Sequence, residues 1–243
     1  LAAVSDVSVE FEAGRINAII GPNGAGKSTF FNLISGLHQP TSGRILLDGV
    51  DVTNLPSDRV ARLGVGRTFQ TTNLFEQATV LDNLIVGHRL RTKSGLWDVL
   101  INSKRLQREE KAARDKAMEA LEFVGLAHVA GQFIADITQE ERKQVAFALA
   151  LATDPKIVLL DEPAAGVNPE ETVGFAALMR KMVDEKGLTV CLIEHKMDMI
   201  MSLADKIMVL DHGEKIAEGT PEEVRNNPVV IEAYLGSEED VEA

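Results

Sequence analysis

The chain contains the stretch Gly21-Pro22-Asn23-Gly24-Ala25-Gly26-Lys27-Ser28-Thr29, set between an apolar run and a helical pattern. The stretch fits G-x-x-x-x-G-K-[ST], the phosphate-binding loop or P-loop. The run before it, 15–20, predicts a buried strand, and the residues after it, 29–34, predict a helix. Because the pattern needs this strand–loop–helix context, the sequence predicts a nucleotide-binding α/β domain.

The residue types of the loop suit a bound phosphate. Small residues let the backbone wrap closely around an anion, and the helix start adds the positive end of its dipole. Lys27 supplies a mobile cation for the β- and γ-phosphates, and the Ser28 hydroxyl is placed to ligate Mg²⁺. We therefore expect Gly21 to Thr29 to hold a nucleotide with its metal.

Composition excludes several classes of protein. The chain has 243 residues, of which 45% are hydrophobic and 26% charged, an ordinary mix for a folded domain with a sub-domain. No uncharged apolar run reaches the roughly 18 residues of a membrane span. The net charge of −12 argues against nucleic acid as the main partner. The single cysteine, Cys191, allows no intramolecular disulfide and is expected to pack in the core.

Two acidic residues, Asp161 and Glu162, follow the apolar run 156–160, which predicts a strand buried on both faces. Ligands of open α/β sheets bind at the carboxyl ends of strands. We therefore predict that Asp161 holds Mg²⁺, directly or through water, and that Glu162 acts as general base on an attacking water. Gln70, at the end of another predicted strand, is a candidate to contact both Mg²⁺ and water.

The hydrophobic patterning divides the chain into a core and an insertion. Residues 1–70 and 155–236 carry strand signals and predict the ATP-binding α/β core, whereas residues 71–154 show helical periodicity and predict an inserted helical sub-domain. The acidic stretch 237–243 predicts a disordered tail. Further predicted elements are a half-exposed strand over 4–12, a strand over 63–69 and one helix over 221–234.

Several motifs occur in the order seen in one family. They are the P-loop, GRTFQ at 66–70, DEPAAGVNP at 161–169, IEHKMD at 193–198, GTPEEVRNNP at 219–228 and AYLG at 233–236. On these residues the chain resembles the ATP-binding subunits of ABC transporters over nearly its whole length. Within that family it is most similar to the ATPase of branched-chain amino acid importers.

The resemblance implies an α/β fold of the P-loop NTPase type, with a RecA-like core, an antiparallel β sub-domain and an inserted helical sub-domain. It implies ATP and Mg²⁺ as ligands, with Ser28, Gln70 and Asp161 on the metal. Glu162 and His195 become the catalytic residues, and His195 is the switch histidine that senses the γ-phosphate. Residues 165–169 match the D-loop, which crosses the dimer.

The resemblance also implies partners. Such subunits form head-to-tail dimers in which each ATP lies between one P-loop and the partner's Leu-Ser-Gly-Gly-Gln signature. They drive membrane-spanning permease subunits from the cytoplasmic face of the cell membrane, where they bind peripherally. They contact neither nucleic acid nor the transported substrate.

The sequence departs from the family at that signature, which falls on Ile137-Thr138-Gln139-Glu140-Glu141. Both glycines are lost, and Glu140 adds a carboxylate that faces the triphosphate. We expect Thr138, Gln139 and Glu140 to contact a partner's ATP poorly. Either the natural sequence is altered here, or the chain works in a heterodimer in which only its own P-loop, facing an intact signature, hydrolyses ATP.

Alternative functions remain open on these residues. Loss of the signature favours a nucleotide-binding clamp with impaired hydrolysis, whereas Glu162 and His195 oppose it. The ATPase of another ABC system, such as lipopolysaccharide export, is a second alternative. A soluble ABC protein of translation or DNA repair normally carries a second cassette or a coiled-coil insert.

The chain begins at Leu1 in mid-pattern, so we expect the natural N-terminus and the adenine-stacking aromatic residue to lie upstream. Without them we expect weak nucleotide binding.

Overall fold

The chain alternates strands and helices, and a computed structural model describes its residues 3–68, 74–88 and 104–239. The first elements are β1 Ile16–Ile20, α1 Lys27–Ile34, β2 Leu46–Leu47, β3 Val50–Asp51, α2 Ser57–Arg62, β4 Val65–Arg67 and α3 Val80–His88. The next are α4 Lys104–Phe123, α5 Gln139–Ala152, β5 Ile157–Asp161, α6 Pro169–Lys186 and β6 Thr189–Ile193. The last are α7 Met197–Leu203, β7 Lys206–Asp211, β8 Glu214–Gly219, α8 Pro221–Arg225 and α9 Pro228–Glu239.

The main sheet has six strands in the order β4-β5-β6-β1-β7-β8. Its neighbours pair in parallel, except that β8 returns antiparallel to β7. Every residue of β1 and β6 is buried, because both faces of a parallel sheet are covered. Since β5, β6 and β1 are adjacent and parallel, the residues that follow them meet along one edge.

The helices between 80 and 152 pack on each other and on the sheet. Leu84 of α3, Leu121 of α4 and Val145 of α5 belong to one buried cluster that continues to Leu160 of β5. Phe147 of α5 stacks on Phe175 of α6 with ring centroids 5.3 Å apart. The helical segment and one face of the sheet therefore share a core.

The predicted strand over 4–12 is wrong, because the segment has no β-ladder partner among the described residues. Its alternating apolar side chains still turn inward and pack against the cluster around Ile19 and Phe30. Phe11 meets Phe30 edge-on at 6.2 Å. The alternating pattern predicted correctly which side chains face the core. Strand pairing, however, depends on a neighbouring strand that the local sequence does not specify. The antiparallel pair β2–β3 is separate from the main sheet.

Three other boundaries differ from prediction. The strand over 63–69 is confined to Val65–Arg67, since Leu63 caps α2 and Phe69 lies outside the described residues. The helix over 221–234 is two helices, because Pro228 disfavours helical geometry in Asn227 before it. The expected disordered tail is helical at its start, since α9 continues to Glu239.

Candidate functional site

The P-loop leaves β1 through two glycines whose conformations no other residue adopts easily. Gly21 has φ 151°, and a Cβ there would lie 1.9 Å from the carbonyl oxygen of Leu210. Gly26, the N-cap of α1, has φ 98°, and its Cβ would lie 2.5 Å from the carbonyl oxygen of Ala3. The loop thus follows a close path that only glycine permits.

The first turn of α1 is open to an anion. Gly26 provides no side-chain cap, and the turn contains no acidic residue. Ser28 is exposed at this end, as are Asn23 and Gly24 of the loop. Its unpaired backbone N–H groups and the helix dipole therefore favour a phosphate there.

Lys27 is buried inside the loop. Its Nζ donates hydrogen bonds to the carbonyl oxygens of Gly21, at 2.7 Å, and Pro22, at 2.8 Å. Burial lowers the pKa of Lys27, while the nearby charges of Glu162 and Asp161 act in the opposite direction. The loop carbonyls hold this cation where phosphate oxygens are able to replace them.

Asp161 ends β5 as a buried carboxylate. Arg67 Nη2 donates to its Oδ2 at 3.3 Å, whereas its buried Oδ1 accepts no hydrogen bond from the described residues. Burial raises the pKa of Asp161, and the Arg67 charge opposes that shift. A buried carboxylate oxygen without a donor suits a cation, which is the chemistry expected of a magnesium ligand.

Glu162 and His195 meet at the edge of the sheet. His195 Nε2 lies 3.0 Å from Glu162 Oε1, and both side chains reach solvent. Glu162 has φ 50°, a left-handed conformation that costs roughly 1–2 kcal/mol in a residue with a side chain. Asp6, Asp48, Asp154 and His212 also have a positive φ, so this conformation alone does not mark a catalytic residue.

Glu194 is a buried carboxylate that the sequence did not single out. Its Oε1 accepts from the Ala164 backbone N–H at 2.6 Å, and its Oε2 accepts from that of His195 at 3.0 Å. It therefore fixes the loop after β5 against the loop after β6. An acidic residue next to a candidate histidine was the available signal.

The residues predicted for the signature begin α5. Thr138 is its N-cap, and its Oγ1 accepts from the Glu141 N–H at 3.2 Å. In return the Thr138 N–H donates to Glu141 Oε2 at 2.8 Å, which completes a capping box. Gln139 and Glu140 are exposed, and Lys143 Nζ donates to the carbonyl oxygen of Ala165. The N–H groups of Thr138 and Glu141 are thus paired within this first turn.

The geometry brings together most of the predicted site. The P-loop, Asp161, Glu162 and His195 follow the adjacent strands β1, β5 and β6, whereas Gln70 lies outside the described residues. Within the described residues, no hydrogen bond joins residues 138–140 to the P-loop. A nucleoside triphosphate with Mg²⁺ fits three features of this site: the glycine-lined loop, the open start of α1 and the unpaired Asp161 Oδ1. Of the helices in the described ranges, none has the length and apolar character to cross a bilayer.

Comparisons with known proteins agree with this geometry. The sequence profile of the ABC transporter family matches residues 4–165, and that of the branched-chain amino acid ATP-binding cassette transporter matches residues 214–240. The chain is 41% identical to the high-affinity branched-chain amino acid transport ATP-binding protein LivG of Salmonella typhimurium. That match covers 97% of this chain and 92% of LivG.

Solved structures extend the comparison to the fold. The ADP conformation of MJ1267, an ATP-binding cassette of an ABC transporter, superposes with a TM-score of 0.83 at 33% identity. The superposition covers 96% of this chain and 92% of that one. A dimeric post-hydrolysis cassette, MJ0796 with ADP and phosphate, gives 0.74 at 26% identity and covers 90% of each chain.

Proposed function

The chain belongs to the ABC transporter ATP-binding family, and we propose that it hydrolyses ATP to power the import of branched-chain amino acids. Two comparisons support the substrate class: the 41% identity to LivG over 97% of the chain, and the match of residues 214–240 to the branched-chain profile. The open α1 start beside Lys27 supports the ATPase most directly, because it offers backbone N–H groups and a cation to the same phosphates.

The nucleotide would lie with its phosphates on the P-loop. Lys27 exchanges its bonds to the Gly21 and Pro22 carbonyls for phosphate oxygens. Ser28, Asp161 and Gln70 would hold Mg²⁺. When bound, Mg²⁺ neutralises phosphate charge that would otherwise oppose attack.

Glu162 is proposed to take the proton of the attacking water. When Nε2 of His195 carries its proton, it donates to Glu162 Oε1 and leaves Oε2 to accept from water. His195 then orients the base, and it contacts the γ-phosphate as the switch histidine. Glu194 orders both loops through backbone hydrogen bonds, so the pair keeps its separation.

We propose a head-to-tail dimer with a different ATPase subunit. The dimeric MJ0796 cassette supports dimerisation of such chains. The loss of both signature glycines, at Gln139 and Glu140, supports an unlike partner, because glycine lets the signature backbone approach a phosphate closely. The Glu140 carboxylate would also repel the triphosphate, since two like charges near 4 Å repel each other by about 4 kcal/mol at an effective dielectric of 20.

A docking face for the permease is proposed on the helical segment. The segment around Ala78 and Val80 runs beside 130–135, joined by backbone hydrogen bonds. Phe75 and Phe133 on these two strips are 62% and 50% exposed. Exposed aromatics of this kind suit a membrane-subunit helix, which would hold the chain at the cytoplasmic face of the membrane.

The import function is tested by Glu162→Gln in the source cells. We expect uptake of labelled leucine to fall at least about 100-fold, because the general base is lost. The purified variant keeps its affinity for fluorescent ATP within about twofold, since the P-loop is untouched. The matched control is Glu185→Gln, a mostly exposed carboxylate on α6, which leaves uptake unchanged.

Two results would overturn the proposal. If leucine uptake persists while that of another solute falls, the chain serves a different ABC system. If uptake of every solute tested survives Glu162→Gln but fails with Lys27→Ala, ATP binding without hydrolysis suffices and the chain is a nucleotide-binding clamp. The loss of both signature glycines, at Gln139 and Glu140, is the observation that favours that second candidate.

A further inference from the structure

Arg67 is a buried cation that lies between three elements of the site. It ends β4, and its side chain is 9% exposed. Its Nη1 donates to Asn32 Oδ1 at 2.9 Å and to Ser35 Oγ at 2.8 Å. Its Nη2 donates to Asp161 Oδ2 at 3.3 Å. One guanidinium therefore joins α1, β4 and β5.

The two ends of this fork reach the two elements expected to hold metal. Asn32 lies one helical turn after Ser28 on α1, so fixing Asn32 fixes the helix that presents the Ser28 hydroxyl. Asp161 is the candidate ligand on β5. The guanidinium lies 5.8 Å from the Phe31 ring, which restricts it further. A single planar group thus bridges the two elements expected to hold metal, in addition to the buried cluster that contains Phe31 of α1 and Leu159 of β5.

Asp161 is held asymmetrically. Arg67 engages Oδ2, and Oδ1 has no hydrogen-bond donor among the described residues although it is buried. A carboxylate with one oxygen tethered cannot rotate freely, so the other oxygen keeps one direction. Buried polar atoms ordinarily have a partner, so the bare Oδ1 is open to a water, an ion or another ligand.

We propose that Arg67 is a positioning residue for magnesium, which clamps Asp161 by Oδ2 and α1 by Asn32 and Ser35 so that Asp161 Oδ1 and Ser28 face the same ion. This inference rests on the proposed function, because it takes the Mg²⁺–ATP site as given. Arg67 is not proposed as a ligand of the metal; it acts through Asp161, Asn32 and Ser35. Its effect is to lower the rearrangement needed when the metal binds.

A purely structural ion pair makes a different prediction. A buried pair of that kind would change the melting temperature when broken but not the affinity for a metal. Arg180 offers a matched control, since its two Nη atoms donate to Asp205 at 3.1 and 3.2 Å. That pair joins α6 to the start of β7, away from the nucleotide.

The test is Mn²⁺ binding measured by electron paramagnetic resonance, with the non-hydrolysable analogue AMP-PNP and protein in excess over nucleotide. We expect Arg67→Met to weaken Mn²⁺ binding at least about tenfold, with AMP-PNP affinity in EDTA unchanged within about twofold. Arg180→Met leaves Mn²⁺ affinity at the wild-type value. Arg67→Lys gives an intermediate loss, because an ammonium cannot reproduce the fork.

The possible results distinguish a failure of this inference from a failure of the proposed function on which it rests. If Asp161→Asn leaves Mn²⁺ affinity unchanged, the magnesium site itself is wrongly assigned. If Asp161→Asn weakens binding but Arg67→Met does not, only the positioning role is overturned. A parallel loss of AMP-PNP affinity in EDTA would also overturn it, since the effect would then be structural. If Arg67→Met does not fold, unchanged Mn²⁺ affinity in Arg67→Lys overturns it.

Discussion

At the scale of single residues, the site is built from buried ionic groups that each have a compensating neighbour. Lys27 is held by loop carbonyls, and Asp161 is held by Arg67. Leaving one buried charge without its partner costs far more than the pair contributes, so removing a single partner is expected to be severe. These groups are therefore set for ligand binding before a ligand arrives.

Cys191 gives a prediction about alkaline stability. Complete burial in β6 raises the pKa of its thiol to about 12 from an ordinary 9.0. The unfolded chain therefore loses this proton first, and the stability that the neutral thiol contributes below pH 9 is lost as pH rises toward 12. We expect the free energy of unfolding to fall by up to about 1.4 kcal/mol per pH unit in this window.

The measurement is urea unfolding of wild type and Cys191→Val between pH 8 and about 10.5, since an apolar side chain cannot titrate. Other groups, Tyr234 among them, are common to both proteins and cancel in the difference. Parallel pH profiles for the two proteins would show that the thiol contributes nothing.

At the scale of elements, the sequence predicted those helices and strands that depend mainly on residues close to each other in the chain. The apolar runs of β5 and β6 were predicted, and the P-loop with its strand and helix was recognised from one motif. The strand over 4–12 was wrong because pairing requires a neighbour elsewhere in the chain. The helical periodicity predicted that the inserted helices have buried faces, but it did not predict that these faces share one core with the sheet.

The candidate site shows the same division. Asp161 and Glu162 were predicted because they come at the end of a buried strand, whereas His195 was assigned from the family resemblance. Arg67 was treated only as part of a motif, since its partner Asp161 lies 94 residues away in sequence. Glu194 was missed as an organiser because the Ala164 N–H that it accepts from is 30 residues distant.

Thr220 gives a prediction about one helix. It is the N-cap of α8 in a capping box with Glu223, at 2.8 and 3.3 Å. Thr220→Ala removes the acceptor and is expected to cost about 1 kcal/mol. That corresponds to a fall of about 2–4 °C in melting temperature, measured by calorimetry. Thr220→Ser keeps the hydroxyl and serves as the control, and equal melting temperatures for both variants would contradict the role of the cap.

At the scale of the whole molecule, the ATP-binding face and the start of α5 belong to one packed body. The shared core and the Phe147–Phe175 stack connect the helical segment to the sheet. A movement of that segment on ATP binding is therefore expected to be transmitted through α5 and α6 rather than absorbed by a loose hinge. The proposed functional consequence is asymmetry, because a P-loop that keeps its glycines and a signature that has lost both of its glycines lie in the same chain.

Steady-state ATPase of a mixed sample tests this asymmetry most directly. The wild-type chain is mixed with a variant of itself whose own P-loop is disabled by Lys27→Ala and whose signature is restored. The restoring substitutions are Ile137→Leu, Thr138→Ser, Gln139→Gly, Glu140→Gly and Glu141→Gln. In the mixed dimer, the wild-type P-loop faces a restored signature.

An asymmetric ATPase predicts phosphate release in the mixture, little from either protein alone, and none when the wild-type member carries Glu162→Gln. If the wild-type chain alone hydrolyses ATP as fast per P-loop as the mixture, its own signature is functional and the asymmetry is contradicted. If the mixture is silent while its wild-type member binds nucleotide, hydrolysis by this P-loop is contradicted and a binding clamp remains.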